Sequence, residues 1–218
     1  MRGLTLGNSY HTAWWRLILT VVGAIVALMP VGCAYHGVTM PTPSASSESP
    51  TSGVFLFGSG TLTAPNPTSK AMTYNPELAP VGAAVTAALI PSSDGSTRAE
   101  LTVSGLLPNR GYAAHVHMKA CGATGEAAGP HYQNRMDPAA TPQAPSTNPE
   151  YANPRNEIWL DLHTDDAGDS TSRSTVPFVF SDRVPGSIVI HEAMQTETAP
   201  GHAGQAGARI ACLTLSRR

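Results

Sequence analysis

Residues 113–117 contain the two side chains in this chain that are best placed for chemistry. His115 and His117 are two positions apart, and side chains two apart on a β-strand project from the same face. Their imidazoles can therefore bind one metal ion together. The alternative is that both are exposed strand residues. Other motifs in the sequence are needed to distinguish the two interpretations.

Further residues that could bind a metal, an anion or another cysteine follow in the order Cys121, His131, His191, Arg209 and Cys212. Neutral imidazole is a common ligand of transition metals, so the added histidines strengthen the prediction of a metal site. Arg209 is permanently cationic and could attract an anion to that site, although a salt bridge with a loop carboxylate is the simpler alternative.

The chain around these residues predicts an all-β fold. Nineteen prolines and twenty glycines argue against long helices. Residues 98–103 and 157–164 alternate polar and apolar side chains, as half-buried strands do. Further strands are predicted at residues 54–57 (ended by the glycines at 58 and 60), 83–90, 175–180, 186–190 and 210–215, besides the strand that carries the first two histidines. About eight short strands with turns between them favour an antiparallel sandwich or barrel.

Two long segments separate these strands. Residues 121–156 carry several prolines and show no periodicity, and residues 192–208 are rich in glycine, alanine and threonine. A loop of this length in a compact domain is either functional or disordered. Because the first segment contains His131, we interpret it as functional.

Residues 1–32 predict an export signal. A basic start is followed by an uncharged run at residues 17–32, which is shorter than the roughly 20 residues that a spanning helix needs. The run ends next to Cys33 in a sequence resembling a bacterial lipobox, from which Pro30 departs. We therefore expect lipidation of Cys33, with an uncleaved anchor or a plain secretory signal as alternatives.

Residues 33–52 are too rich in proline and serine to bury a core, so we expect a flexible tether there and a folded domain at residues 53–218. The net charge of −2 and the lack of a basic patch argue against nucleic-acid binding. The protein is thus expected on the outer face of a cell membrane, held by its lipid anchor, or secreted. Lipidation would also explain the odd count of three cysteines.

The order of these motifs resembles the copper/zinc superoxide dismutase family. Residues 102–117 are similar to that family's strand, turn and first two copper ligands, and residues 128–131 to the segment with its bridging histidine. Residues 190–192 are similar to its last copper ligand, and residues 207–212 to its active-site arginine and second disulfide cysteine. The resemblance covers most of residues 53–215.

The resemblance implies an eight-stranded antiparallel Greek-key β-sandwich or barrel with two long functional loops. It implies one copper ion bound by His115, His117, His131 and His191. It also implies that Arg209 docks superoxide, that His131 takes part in catalysis, and that Cys121 pairs with Cys212, as cysteines of exported proteins usually do. The implied activity converts superoxide to oxygen and hydrogen peroxide. We expect a monomer or weak dimer.

The chain departs from the family at the zinc site. No further histidine lies between His131 and Asn156, the position of the zinc aspartate falls near Ile158, and Gln195 stands where the family has an aspartate that links the two metals. These departures resemble the copper-only branch and the bacterial superoxide dismutase-like lipoproteins, which share the Asn-Pro-x-Asn-Glu-x-Trp-Leu-Asp pattern of residues 153–161. We therefore expect copper without zinc.

Two function classes remain open, an enzyme and a non-catalytic lipoprotein that buffers or delivers copper. Both need the four histidines, but only the enzyme needs Arg209 and an open copper face, so Arg209 favours the enzyme. His163 and His202 have no counterpart in the family. His163, on an alternating strand, is expected to be structural or exposed, and His202 lies in the loop expected to flank the copper.

Overall fold

The computed structural model describes residues 53–141 and 143–218. The predicted export signal, the tether and the lipidation site at Cys33 lie outside the described residues. Eleven strands and one short 3-10 helix form the regular structure of the described part. A search of the described residues for a membrane-spanning helix finds none.

The strands are β1 Leu56–Thr61, β2 Ala71–Thr73, β3 Ala84–Pro91, β4 Thr97–Ser104, β5 Gly111–Tyr112, β6 Ala114–His117, β7 Leu162–His163, β8 Ser170–Val176, β9 Ser187–His191, β10 Arg209–Thr214 and β11 Ser216–Arg217. The 3-10 helix spans Gly125–Ala128, between β6 and β7.

The strands form two larger antiparallel sheets and one small sheet. Their orders are β11-β1-β3-β4-β8, β2-β10-β9-β6 and β5-β7. Both larger sheets contribute to one apolar core, for example Leu101 from β4 and Ile188 from β9. The predicted antiparallel β-sandwich is confirmed. It does not close into a barrel, and the described part has eleven strands instead of the expected eight, because β5, β7 and β11 are short pairings of two residues each.

The strands predicted at residues 83–90 and 98–103 are confirmed as β3 and β4, the second of them from its alternation. Strands β3 and β4 alternate between buried and less buried side chains along their whole length. The predicted end of β1 is wrong, because the strand continues through Gly58 and Gly60. A Cβ atom on either glycine would lie 2.8 Å from the carbonyl oxygen of Thr214 or from Cβ of Ala71. Glycine therefore serves here to let two strands approach closely.

Two other predicted strands differ from the structure. Within residues 157–164 only β7 is a named strand, although Ile158 and Leu160 are fully buried and exchange backbone hydrogen bonds with β6. The strand predicted at residues 175–180 is β8, which ends earlier because its partner β4 ends opposite Val176. Beyond it, Phe180 leaves the sheet and packs on Tyr132, with 5.1 Å between the ring centroids.

Candidate metal centre

The structure brings four histidines together beside the paired strands β6 and β9. His115 and His117 lie on β6, His191 ends β9, and His131 forms an isolated β-bridge with His117. One ring nitrogen of each lies within 4.8 Å of the corresponding atom of the other three. His115 and His117 have no exposed surface, so the interpretation of these two as exposed strand residues is wrong.

The hydrogen bonds of His115 leave one ring nitrogen without a partner. The Thr196 hydroxyl donates to Oδ1 of Asp161 at 2.8 Å, so its oxygen is free to accept a proton from Nε2 of His115 at 2.6 Å. The Nδ1 atom of His115 then carries a lone pair. It is buried and has no hydrogen-bond partner in the described part of the chain, and an unpaired buried acceptor of this kind fits a metal ligand.

His117 and His191 show the same property at Nε2. The Nδ1 atom of His117 faces the carbonyl oxygen of Gly129 at 2.9 Å, and that of His191 faces the carbonyl oxygen of Gly207 at 3.4 Å. Carbonyl oxygens only accept, so both Nδ1 atoms carry the proton and both Nε2 atoms carry a lone pair. The two Nε2 atoms lie 3.3 Å apart. Two acceptors at this distance do not form a hydrogen bond, and a cation between them would satisfy both.

The ring of His131 is oriented by a buried carboxylate. Its Nδ1 atom donates to Oε2 of Glu157 at 2.8 Å, which directs Nε2 towards the other histidines. The Glu157 side chain is only 2% exposed. It is held in turn by Nε1 of Trp159 and Nε2 of Gln133, each at 2.8 Å. Partners of this kind fix the tautomer and orientation of metal-binding histidines.

Burial keeps three of these imidazoles neutral. Loss of solvation lowers the pKa of His115 and His117 well below the ordinary 6.5, and the neighbouring His131 is the next cause. The same two causes lower the pKa of His191 to about 3. Neutral rings with converging lone pairs are ready to bind a metal at neutral pH. Four imidazoles suit copper, zinc, iron or nickel ions more than magnesium or calcium.

A cavity of about 600 Å³ opens beside this cluster and is lined in part by His131, His191 and Arg209. Arg209 lies opposite His191 at the start of β10, next to a register shift in the pairing with β9. Its Nη1 donates to the carbonyl oxygen of Gly125, in the 3-10 helix, at 2.9 Å. The predicted anion-docking residue is therefore placed on the wall of the cavity that reaches the histidines.

The residues at the expected position of a zinc ion do not form a second metal site. The Nδ1 atom of His131, which would face the zinc, is hydrogen-bonded to Glu157 instead. Ile158, near the expected position of the zinc aspartate, is fully buried in the core and offers no ligand. Gln195 is exposed, and its neighbour Thr196 makes the contacts to Asp161 and His115.

The disulfide between Cys121 and Cys212 is confirmed. It joins the segment after β6 to β10, and the backbone N–H of Cys121 donates to Oγ1 of Thr214 at 3.1 Å. The bridge therefore fixes the segment that leads into the 3-10 helix, whose Gly125 holds Arg209. A disulfide fits an oxidising environment outside the cytoplasm.

The other two histidines in the described part lie apart from the cluster of four. His163 is exposed on β7, and its Nδ1 atom lies 3.0 Å from the carbonyl oxygen of Thr164. His202 is exposed, and its Nδ1 atom lies 3.1 Å from Oε1 of Gln205.

Three residues that contact the histidines were not identified as such from the sequence. Glu157 and Asp161 belong to the nine-residue pattern of residues 153–161, so a signal for them was present. Thr196 had none, because a single threonine in a long loop has no periodicity or motif.

Comparison with known proteins gives no family. No family model matches the chain, and no curated protein matches it. A solved structure described as the clock protein EA4 is 16% identical, with a TM-score of 0.43, over 76% of this chain and 96% of that one. A likeness at this level carries no argument about function.

Proposed function

We propose that the protein is a superoxide dismutase that uses a copper ion bound by His115, His117, His131 and His191, with no structural zinc. One observation carries the proposal. Four imidazole rings, three of which burial keeps neutral, converge beside a cavity that an arginine also lines. Copper held by imidazoles cycles by one electron between two oxidation states, and this supplies the chemistry that dismutation needs.

The residues around the histidines keep them in place. Thr196 and Asp161 orient the ring of His115, and Glu157 orients the ring of His131. Fixed orientation keeps the ligand atoms convergent while the charge in the centre changes. The side chain of His131 is 17% exposed, and the other three histidines are at most 4% exposed. His131 is therefore the most accessible of the four candidate ligands, which supports a catalytic role for it.

Arg209 supports the choice of an anionic substrate. No carboxylate in the described part pairs with its guanidinium within 4.0 Å, so the simpler salt-bridge interpretation has no partner there. Glu126 acts on it only from a longer distance. A partly buried and unpaired cation is screened less than a surface charge, and it raises the local concentration of superoxide in the cavity.

Glu157 supports the zinc-free part of the proposal, because a zinc ion at Nδ1 of His131 would have to displace a carboxylate that three donors hold. Copper-loaded protein should take up no second, stoichiometric metal when zinc is added, as native mass spectrometry would show. Stoichiometric zinc that disappears in His163→Ala would contradict this part.

The alternative is a non-catalytic copper-binding protein, which the near-complete burial of three of the ligands favours because enclosed ligands retain a metal well. The two functions separate in one experiment. Decay of superoxide is followed after a radiolysis pulse, with copper-loaded protein of measured copper content. Rapid decay supports the enzyme, and decay no faster than with metal-free protein supports the alternative.

The docking role is tested with Arg209→Ala. We expect dismutation to slow by about tenfold at low salt, and the difference to shrink as salt screens the charge. Arg173→Ala is the matched control, because Arg173 is an exposed arginine on β8 paired with Glu100. Equal rates for Arg209→Ala and the control at low salt, with copper retained in both, would reject this role.

The ligand set is tested by electron spin resonance of the cupric protein, which should show four nitrogen ligands. Replacing His115 and His117 together should abolish this spectrum and the binding of copper. His163→Asn, which changes an exposed histidine outside the cluster, should leave both intact. Unchanged affinity in the double variant would show that copper binds elsewhere.

We also propose that Cys33 is lipidated and holds the domain at the outer face of the membrane. The disulfide supports export, since such bridges form and persist outside the cytoplasm. Cys33→Ala should move the protein from the membrane fraction to the soluble exported fraction. Retention of the variant in the membrane fraction would contradict lipid anchoring.

A further inference from the structure

We propose that the cavity beside the four histidines binds a small organic anion, specifically a flat monocarboxylate with an aromatic or similarly apolar body. The volume of the cavity is about 600 Å³, inside the range of roughly 300–1,000 Å³ that is typical of small-molecule sites. A diatomic anion such as superoxide fills only a small part of it. The cavity is therefore much larger than the proposed reaction requires.

The apolar part of the wall indicates the body of the ligand. It is formed by Met118, Pro130, Met136, Ala140, Pro145 and Ala206. An apolar wall stabilises a bound ligand by removing the ligand's hydrocarbon surface from water. An inorganic anion has no hydrocarbon surface to bury. Methionine side chains adapt to flat rings and contact them favourably through sulfur.

Three cations on the same wall indicate the charge of the ligand. Lys119, Arg183 and Arg209 all line the cavity, and none of them pairs with a carboxylate within 4.0 Å in the described part of the chain. Arg183 is already held in place, because its Nη2 donates to the carbonyl oxygens of Gln133 and Asn134 at 2.8 Å. A positioned guanidinium loses little freedom when it binds a carboxylate.

Two carboxylates also line the cavity, and both already have hydrogen-bond donors of their own. Asp137 accepts from the hydroxyl of Ser146 at 2.5 Å and from the backbone N–H of Ala139 at 2.9 Å. Glu157 is held by three donors, as described above. The cations therefore outnumber the carboxylates, and the ammonium of Lys119 and the remaining N–H groups of the two arginines have no carboxylate partner in the described part of the chain. This inference uses the protein cavity alone and does not depend on the proposed copper chemistry.

The test measures binding of naphthalene-2-carboxylate to the full chain in detergent by isothermal titration calorimetry. Naphthalene-2-carboxamide is the neutral probe of the same shape, and inorganic phosphate is the anion without an apolar body. We expect the carboxylate to bind metal-free protein at least about tenfold more tightly than either comparison probe.

Two variants locate the binding. Lys119→Gln should weaken binding of the carboxylate by about three- to tenfold. Lys70→Gln, which changes an exposed lysine outside the cavity, should leave the affinity unchanged. Ala140→Trp should fill part of the cavity and abolish binding. The circular dichroism spectrum of this metal-free variant should stay unchanged, which shows that the domain has folded.

Three outcomes with metal-free protein would overturn the inference. These are equal affinity for the carboxylate and either comparison probe, equal loss in the two lysine variants, or unchanged binding in Ala140→Trp. Binding that requires copper, and that disappears when His115 and His117 are replaced, would also overturn it, because the anion would then be a ligand of the metal. Failure of the superoxide experiment leaves the inference standing, because the expected binding is to metal-free protein.

Discussion

Nδ1 of His131 lies 2.8 Å from Oε2 of Glu157, a carboxylate whose side chain is only 2% exposed. The most exposed of the four clustered histidines is thus oriented by a buried group, and that group is itself held by Trp159 and Gln133. The orientation of one candidate ligand therefore depends on side chains from two separate parts of the chain.

Glu157→Gln should weaken copper binding. The amide can still accept one hydrogen bond from His131, but it lacks the charge that makes this ring a strong ligand. Loss of such a partner typically costs about 10- to 100-fold in metal affinity. Competition with a chelator measures the effect. Glu150→Gln is the control, because Glu150 is exposed and pairs with Arg135. Equal copper affinity in the two variants would show that Glu157 does not support the metal site.

Thr196→Val should leave the buried Nε2 proton of His115 without an acceptor. An unsatisfied buried donor costs about 1–3 kcal/mol, so metal-free protein should lose that much free energy of unfolding. Nitrogen NMR should also show that His115 no longer keeps its proton fixed on Nε2. Thr196→Ser should restore both properties, and Thr171→Val, at an exposed position of β8, should change neither. Failure of Thr196→Ser to restore them would point to a packing role for the threonine.

Metal-free protein should lose stability as the pH falls. The folded-state pKa of His191 is about 3 and those of His115 and His117 are well below 6.5. Below about pH 6.5 the unfolded chain therefore binds protons that the folded chain does not. The free energy of unfolding keeps the full contribution of these histidines above that pH. It declines towards about pH 3, by at most about 1.4 kcal/mol per pH unit for each histidine.

Urea unfolding at several pH values measures this decline. His191→Asn should reduce the slope of unfolding free energy against pH by the amount that corresponds to uptake of one proton. His163→Asn, which changes an exposed histidine, should leave the slope unchanged. A decline of the same slope in both variants would show that the buried histidines are not its cause.

Removing the disulfide with Cys121→Ser and Cys212→Ser should lower the free energy of unfolding by about 4–5 kcal/mol. The bridge joins residues separated by 91 positions, and closing so long a loop restricts the unfolded chain strongly. Urea unfolding of metal-free protein measures the loss, with Cys33→Ser as the control that keeps the bridge. A loss no larger than that of the control would contradict this estimate.

The sequence predicted the parts of the fold that repeat a local pattern. The alternation of residues 98–103 is enough to place β4, because one face of this strand packs on the core and the other does not. The extension of β1 could not be predicted in this way. Gly58 and Gly60 have the composition of a turn, and only the approach of Thr214 and Ala71 in the folded protein explains them.

In the candidate site, too, local patterns predict some residues and tertiary contacts determine the others. His115 and His117 could be paired from their spacing alone, because the period of a strand places both on one face. The contacts of Glu157 and Thr196 depend on where two long loops fold back. Loops of this kind are positioned by scattered hydrogen bonds, such as those from Nδ2 of Asn156 to the carbonyl oxygens of Arg135 and Tyr151. No periodic pattern in the sequence encodes them.

The position of β10 affects when the metal centre can be assembled. This strand is the last but one of the described strands, yet it lies inside the four-stranded sheet, between β2 and β9. A chain that emerges from the ribosome or a translocation pore with its N-terminus first cannot complete this sheet until residue 214 has appeared. His115 and His117 appear nearly a hundred residues earlier. The sheet that positions three of the four clustered histidines is therefore completed only when nearly the whole domain is available, and we expect the folded domain, not the emerging chain, to acquire the metal.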